Sequence, residues 1–401
     1  MLTPRSTLTR RVVAALDASP SRIPVLLGGC GSGRTTVLHQ LRDRIGRNTA
    51  QFIDVERVAT TPERFLRAIA VASTLPMADT TTAGAAGARP AFDATLGFLD
   101  KARTSAGEPV TFLLDEFLEL RTFESFPGLR RVLHDLIDTL SASGNRFVLT
   151  SRYVARSLRL LRDRSARFEV IHMPPLTAED AHDILGPTAG TGEAHDAEYL
   201  ARTVQALADG RPAYVRALAD ELSVLRNHGV PAVAGSAQAA GSDDPISALA
   251  ALLAPDGALA RRCEFSYELR LHRARGYGAL KAILEILADE EGLTLTEISL
   301  RLQRTPGSTK DYLSWLEDVD LVTSRQKRYS FSDPLLRLWV RLHCRATEPT
   351  EDDLAREIHR YALPRLPQMQ EPALAMAAVS VGSGQSQEEK KTPSWGIIEI
   401  D

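Results

Sequence analysis

The sequence predicts an α/β protein: a parallel sheet covered by helices, followed by a helical region and then a winged helix-turn-helix unit. Three observations predict it. Short apolar runs alternate with helical periodicities through the first 173 residues, the pattern of βα units that build a parallel sheet covered on both faces. One of those runs ends in a glycine-rich turn, Gly28–Thr36, that opens a helix. Further on, Thr294-x-x-Glu297 is a capping box inside a helix, helix, helix, hairpin succession. With 401 residues, at roughly 150 per domain, the chain has room for about two to three domains.

Composition narrows the class. Lys and Arg number 48 against 51 Asp and Glu, a formal net charge of -3, so no global positive field points to nucleic acid or an anionic membrane; such a contact needs a local patch. A chain that is 44% hydrophobic and 25% charged reads as a soluble globular protein. Cys30, Cys263 and Cys344 are far apart, which supports neither a disulfide framework nor a paired-cysteine zinc site and makes a reducing compartment the expectation. Met1-Leu2-Thr3-Pro4-Arg5 lacks the apolar core of a secretory signal, and no run approaches the ~18 apolar residues of a membrane span. The expected location is therefore the cytoplasm, with no membrane contact.

Taken in order, residues 6–18 place Val12, Val13, Ala15 and Leu16 between polar positions, as in a short amphipathic helix. Ile23–Leu27 is a buried strand meeting glycines, and Val37, Leu38, Leu41 and Ile45 follow at helical spacing. Phe52–Val55, Val110–Leu114, Phe147–Thr150 and Phe168–Met173 read as further strands, with helices over 62–73, 91–103 and 127–140. Met77–Pro90 is a surface loop of Ala, Thr and Gly. The expected division is a first α/β domain over 1–176, a helical lid over 177–228, a linker and connecting helix over 229–259, a winged-helix domain over 260–345, and a C-terminal tail over 346–401 that is disordered across 365–393.

Gly28-Gly29-Cys30-Gly31-Ser32-Gly33-Arg34-Thr35-Thr36 fits the phosphate-loop pattern G-x-x-x-x-G-[basic]-[ST], with Arg34 where lysine is usual. Glycines let successive backbone N–H groups turn around phosphate oxygens, and the helix that follows points its positive end at them. The Thr35 hydroxyl is then placed to ligate Mg²⁺, with Thr36 beside it. Guanidinium is a planar fork where ammonium is a point charge. Charge is kept at Arg34, so nucleotide binding is expected to survive, while hydrolysis is open.

Val110–Leu114 runs into Asp115-Glu116, about 80 residues after the loop. This is the Walker B pattern, in which Asp115 holds the Mg²⁺ shell and Glu116 activates water. Asn145–Arg152 ends a third strand in hydroxyls. On a parallel sheet such ends share the ligand-binding edge, so Thr150 or Ser151 either senses a γ-phosphate or caps the next helix. Arg156, Arg159, Arg162, Arg164 and Arg167 either pair with surface acids or supply an arginine finger to a neighbouring subunit. Gly210-Arg211-Pro212 is either an inter-helix corner or a turn that aims Arg211 at the nucleotide.

In the second domain, Leu280, Ile283, Leu284 and Leu287 mark one helix and Leu295, Ile298 and Leu302 another. A third, from Ser308 to about Asp318, precedes a wing over Leu321–Phe331. Ser308, Thr309 and Lys310 are placed to enter a major groove and Arg325, Lys327 and Arg328 to touch phosphate. Asp311, Glu317, Asp318 and Asp320 dilute that charge, so packing against protein stays open beside DNA contact.

The order of phosphate loop, Asp54 strand end, Asp115-Glu116, Thr150-Ser151, Gly210-x-Pro212 and winged helix resembles the archaeal-type and STAND-like P-loop ATPases of the AAA+ branch, across residues 1–345. Tyr329–Trp339 is also similar to the end of that family's winged helix. Arg34 departs from the family's usual lysine, and no long repeat or nuclease-like domain follows here. The resemblance implies ATP and Mg²⁺ as cofactors and a lid and winged helix that switch with nucleotide state. The primary expectation is a Mg²⁺-dependent ATPase that repositions its winged helix, with Gly28, Gly29, Cys30, Gly31, Ser32, Gly33, Arg34, Thr35, Thr36, Thr150 and Arg211 at the nucleotide, Thr35 and Asp115 at the metal, and Glu116 and Arg34 catalytic. The alternatives are a non-hydrolysing, nucleotide-gated protein-binding module and an ATP-regulated DNA-binding protein. A protein partner or a homo-oligomer fits any of the three.

Overall fold

The computed structural model describes residues 5–73, 75, 87–186, 194–228, 244–272, 276–345 and 347–367. The loop expected over 77–90, the linker after 228 and the end of the expected tail lie largely outside these residues. The first layers run α1 (Ser6–Leu16), β1 (Ile23–Leu27), α2 (Arg34–Ile45), β2 (Ala50–Asp54), α3 (Val55–Val58), α4 (Pro62–Ala72), α5 (Ala88–Lys101), β3 (Thr111–Asp115), a 3-10 helix over Phe117–Ser125, α6 (Val132–Ala142), β4 (Arg146–Ser151), α7 (Val154–Leu161) and β5 (Phe168–His172). The five strands form one parallel sheet in the order β2-β3-β4-β1-β5.

Each strand alternates its side chains between two cores, because successive residues point to opposite faces. Val25, Leu27, Phe112, Leu114, Phe147 and Leu149 pack with α4, α5, α6 and the 3-10 helix on one face. Leu26, Leu113, Val148 and Ile171 pack with Leu8, Val12 and Leu16 of α1 and Val37, Leu38 and Leu41 of α2 on the other. Each fully buried aliphatic or aromatic side chain here contributes roughly 1.5–3 kcal/mol. Several boundaries differ from the periodicity by a few residues, two of them for a local reason. Asp54 ends β2 and at once caps α3 by accepting from the Arg57 N–H, so Val55 leaves the strand. Gly128, at φ 78°, turns the chain after the 3-10 helix, and α6 begins only at Val132.

The helical region follows as α8 (Ala178–Leu185), α9 (Ala194–Leu207) and α10 (Pro212–His228), then α11 (Pro245–Leu253) and the long α12 (Ala258–His272). Gly210, at φ 61°, makes the turn between α9 and α10; a Cβ there would lie 2.6 Å from Cβ of Pro175. Beyond it come α13 (Tyr277–Asp289), β6 (Leu293–Thr294), α14 (Leu295–Leu302), α15 (Pro306–Asp318), β7 (Val322–Arg325), β8 (Arg328–Phe331), α16 (Pro334–His343) and α17 (Glu351–Ala362). The Thr294–Glu297 capping box forms as the sequence predicts. β7 and β8 make the antiparallel hairpin, and β6 adds a third strand beside β8.

Two cores share α16. Leu335, Leu338 and Leu342 face α8–α11, while Leu336, Trp339 and Val340 face α12–α15 and the hairpin. Helix α17, which composition assigns to the tail, buries Ile358, Tyr361 and Ala362 in the core with α8–α11, and Tyr361 donates to the Leu207 carbonyl. Another capping box, Thr350 with Asp353, starts it. All described residues fall in one compact unit, Met1–Pro367.

Candidate functional site

The C-terminal end of β1 delivers the chain into the loop, where the Gly28 N–H donates to the Ser151 carbonyl of neighbouring β4. Gly31 and Gly33 sit at φ 79° and 87°, values an L side chain adopts only with strain. Gly33 is the N-cap of α2. This turn aims the first amides of α2 inward, and they carry the positive end of the helix dipole. Over Gly31–Val37 opens a cavity of about 380 Å³, closed on its far side by Leu176, Pro212 and Ala213. The Ala213 N–H donates to the Gly31 carbonyl, so the start of α10 rests directly on the loop. Gly31, Ser32, Gly33, Arg34, Thr35 and Thr36 all line that cavity; Gly28, Gly29 and Cys30 do not.

On the inner side, strand order decides what meets the loop. Because β4 lies between β1 and β3, Thr150 stands between loop and acid. Thr35 Oγ1 donates to Asp115 Oδ2 at 2.6 Å, and Thr150 Oγ1 donates to Asp115 Oδ1 at 2.5 Å. The same Thr150 hydroxyl accepts from the Glu116 N–H at 3.1 Å. Fully buried, Thr150 therefore neither caps α7 nor faces the cavity; it holds the two acids in place.

Glu116 is clamped. Its backbone is left-handed, at φ 54° and ψ 49°, and its Oε1 accepts from Arg34 Nη2 at 2.6 Å. Its Oε2 accepts from the Arg152 N–H at 3.0 Å and pairs with Arg152 Nε at 3.3 Å. Burial alone would raise the Glu116 carboxyl, but the Arg34 and Arg152 guanidiniums hold it below the ordinary glutamate value. Arg34 also folds back into the loop, donating to the Gly29 carbonyl at 2.6 Å and to Ser32 Oγ at 3.0 Å. Arg152 pairs further with Glu56 and Glu119.

Three further arginines of this region are committed within the chain: Arg159 to Asp318 of α15, Arg164 to Asp138, and Arg167 to the Ser21, Ser141 and Ser143 carbonyls. Arg211, expected at the nucleotide, does not line the cavity. It reaches the loop from outside, donating to the Cys30 carbonyl at 3.2 Å and the Ser332 carbonyl at 2.7 Å and pairing with Asp333 at 3.0 Å. Asp333 is the N-cap of α16, so Arg211 ties the loop to that helix. The sequence places an arginine in the turn but does not record the acid that claims it.

Sequence reasoning missed the cover on the loop's outer edge. Arg270 Nη2 lies 2.7 Å from Cys30 Sγ, and Arg270 Nη1 donates to the Asp320 carbonyl at 2.8 Å. A Cβ at Gly29 would lie 3.3 Å from Asp320 Oδ2. Burial pushes the Asp320 carboxyl up to about 6 against the pull of Arg270, Arg211 and Arg34. Burial would also raise the Cys30 thiol, yet Arg270, Arg152 and Arg34 bring it below the ordinary value. The positive φ of Asp320, 56°, carries no signal in periodicity.

Among solved structures, the chain is similar to a Walker-type ATPase of Pyrococcus abyssi at 16% identity, covering 85% of this chain and 96% of that one with a TM-score of 0.62. This chain has the P-loop NTPase fold. Weaker likenesses are to the Orc1 protein of Aeropyrum pernix in complex with DNA (16% identity, 90% and 93% covered, TM-score 0.44) and to a STAND protein of Pyrococcus horikoshii with a tetratricopeptide repeat sensor (14%, 92% and 46%, 0.36). No family model matches the sequence, and no curated protein does. Among the described residues no helix is long and apolar enough to cross a membrane.

Proposed function

We propose that this chain binds ATP with Mg²⁺ and hydrolyses it, using nucleotide state to move the lid and the helices beyond it. The observation that carries this reading is the Thr35–Asp115 hydrogen bond at 2.6 Å, which joins the first turn of α2 to the end of β3 beside inward-facing amides. A hydroxyl and one carboxylate on hard oxygen atoms suit Mg²⁺, which takes few protein ligands and completes its shell with water and phosphate. The amides of Gly31–Thr36 hold phosphate oxygens; Thr35 and Asp115 hold the metal. When bound, the metal supplies charge neutralisation for the departing phosphate. Thr150 orients Asp115, and Glu116 accepts the proton of the attacking water once its guanidinium partners let go. Pocket size supports the reading as well, since about 380 Å³ lies in the range of small-ligand sites.

A second reading has its own observation. Both Glu116 oxygens are engaged by Arg34 and Arg152, which fits a module that binds nucleotide without turning it over. Isothermal titration with ATP and ADP, with and without Mg²⁺, together with a phosphate-release assay, tests both. Absence of nucleotide binding rejects the two together; binding without phosphate release leaves the second.

We read α13–α15 and the hairpin as a winged helix whose position is the output of the switch. Its wing exposes Arg325, Lys327 and Arg328, yet the far end of α15 is tied to α7 by Arg159 and Asp318. This favours an output made by releasing α15 to a protein partner.

A further inference from the structure

Helix α12 runs along the loop with one stripe of side chains. Arg262, Ser266 and Arg270 recur every four residues, which stacks them on one side of a helix. Cys263, Tyr267 and Leu271, one position on, are buried in the core with α13 and α16, so packing fixes the direction of that stripe. Arg270 is buried and committed to Cys30 Sγ and the Asp320 carbonyl. Ser266 Oγ lies 3.8 Å from Cys30 Sγ. Arg262 differs: it is exposed, lines the cavity, and its Nη2 lies 3.9 Å from where a Cβ on Gly31 would sit.

The lining of the cavity is rich in guanidinium groups. Arg5, Arg34, Arg216 and Arg262 line it, and among the described residues no Asp or Glu does. Arg34 is paired with Glu116, so the lining adds Arg5 and Arg262 over the backbone amides of the loop, and guanidiniums over amides suit a polyanion. Arg5 contributes a buried Nη2 atom with no hydrogen-bond partner.

We infer that Arg262 is a phosphate-binding residue, supplied by the connecting helix rather than by any loop motif, and that a nucleoside di- or triphosphate held over Gly31 becomes the bridge that ties α12 to the loop. The inference rests on the proposed nucleotide binding and adds to it the route by which occupancy reaches the C-terminal helices. The face of α12 next to its loop contacts, with Cys263, Tyr267 and Leu271, packs into the core that holds the hairpin; a ligand gripping Arg262 therefore acts on that core directly.

The test is titration calorimetry of wild type, Arg262→Ala and Arg262→Lys with AMP, ADP and ATP, alongside hydrogen exchange of the 258–272 amides. Arg262→Ala is expected to weaken ADP and ATP by roughly ten- to a hundredfold, the loss of one charged hydrogen bond, and to leave AMP nearly unchanged. Arg262→Lys recovers part of that loss. Saturating ADP slows exchange in α12 of wild type and fails to do so in Arg262→Ala, while the melting temperature without nucleotide stays the same. If Arg262→Ala binds ADP as wild type does and protects α12 equally, the inference is wrong although the proposed function stands. If wild type binds no nucleotide, both fall.

Discussion

Arg34 Nη2 and Glu116 Oε1 lie 2.6 Å apart with both side chains 8% exposed, so the residue in the basic position of the phosphate loop is ion-paired to the glutamate in the position of the base. A planar fork suits this: Nη1 serves the Gly29 carbonyl and Ser32 while Nη2 serves Glu116, a spread over two nitrogens that a single ammonium nitrogen lacks. On the proposed mechanism, the pair holds Glu116 away from water until something displaces the guanidinium. A phosphate anion in the loop is a competitor of the right charge.

Glu116→Gln keeps a polar group of the same size but removes the proton acceptor. Phosphate release is expected to fall by about a hundredfold or more while ATP affinity changes little. Arg34→Lys keeps the charge and loses the fork, so Glu116 is freed and phosphate release rises severalfold. A release assay on the three proteins decides; equal rates in Arg34→Lys and wild type would show that the ion pair does not restrain turnover.

Thr150→Val keeps the shape of the side chain and deletes the hydroxyl. Asp115 then loses a donor and the Glu116 N–H an acceptor, both in a buried setting. Destabilisation of about 1–3 kcal/mol is expected from the unmet polar groups, together with weaker Mg²⁺-dependent nucleotide binding. Denaturant unfolding measures the first effect. A loss of only a few tenths would mean that Thr150 is incidental to the acids.

Asp320 makes apo stability depend on pH. Its carboxyl is raised by burial from the ordinary 3.8 to about 6, so the protonated form favours the folded state. That contribution is complete below the unfolded value and is lost as pH rises through about 6. Asp320→Asn, permanently neutral, should therefore gain on wild type between about pH 4 and pH 6. Thermal unfolding without nucleotide across that window gives the comparison, and parallel curves for the two proteins would contradict the assignment.

Cys30 is partly exposed and surrounded by Arg270, Arg152 and Arg34, which hold its thiol below the ordinary value. Burial pushes Cys344 up to about 11 and Cys263 higher still. Because thiolate is the reactive form, iodoacetamide at neutral pH should alkylate Cys30 first. Peptide mass spectrometry over a time course reads the order of labelling, and earlier modification of Cys344 would mean the arginines do not activate Cys30.

What the sequence determined by itself is local. A strand running into Gly28–Thr36, an apolar run closing on Asp115-Glu116, and the Thr294–Glu297 cap are each written in neighbouring residues, because turn chemistry and side-chain periodicity act over a few positions. The departure at Arg34 was equally legible; its partner was not. Tertiary structure alone decided that Thr150 supports Asp115, since this follows from β4 lying between β1 and β3. It also turned Arg211 from the cavity to Asp333, set Arg270 against Cys30, left Arg262 over Gly31, and drew α17 into the core with α8–α11. Arg34 and Glu116 are 82 positions apart and Cys30 and Arg270 are 240 apart. No local pattern encodes contacts at such separations; packing of whole layers brings the charges together, and the low-dielectric interior then makes each pairing matter.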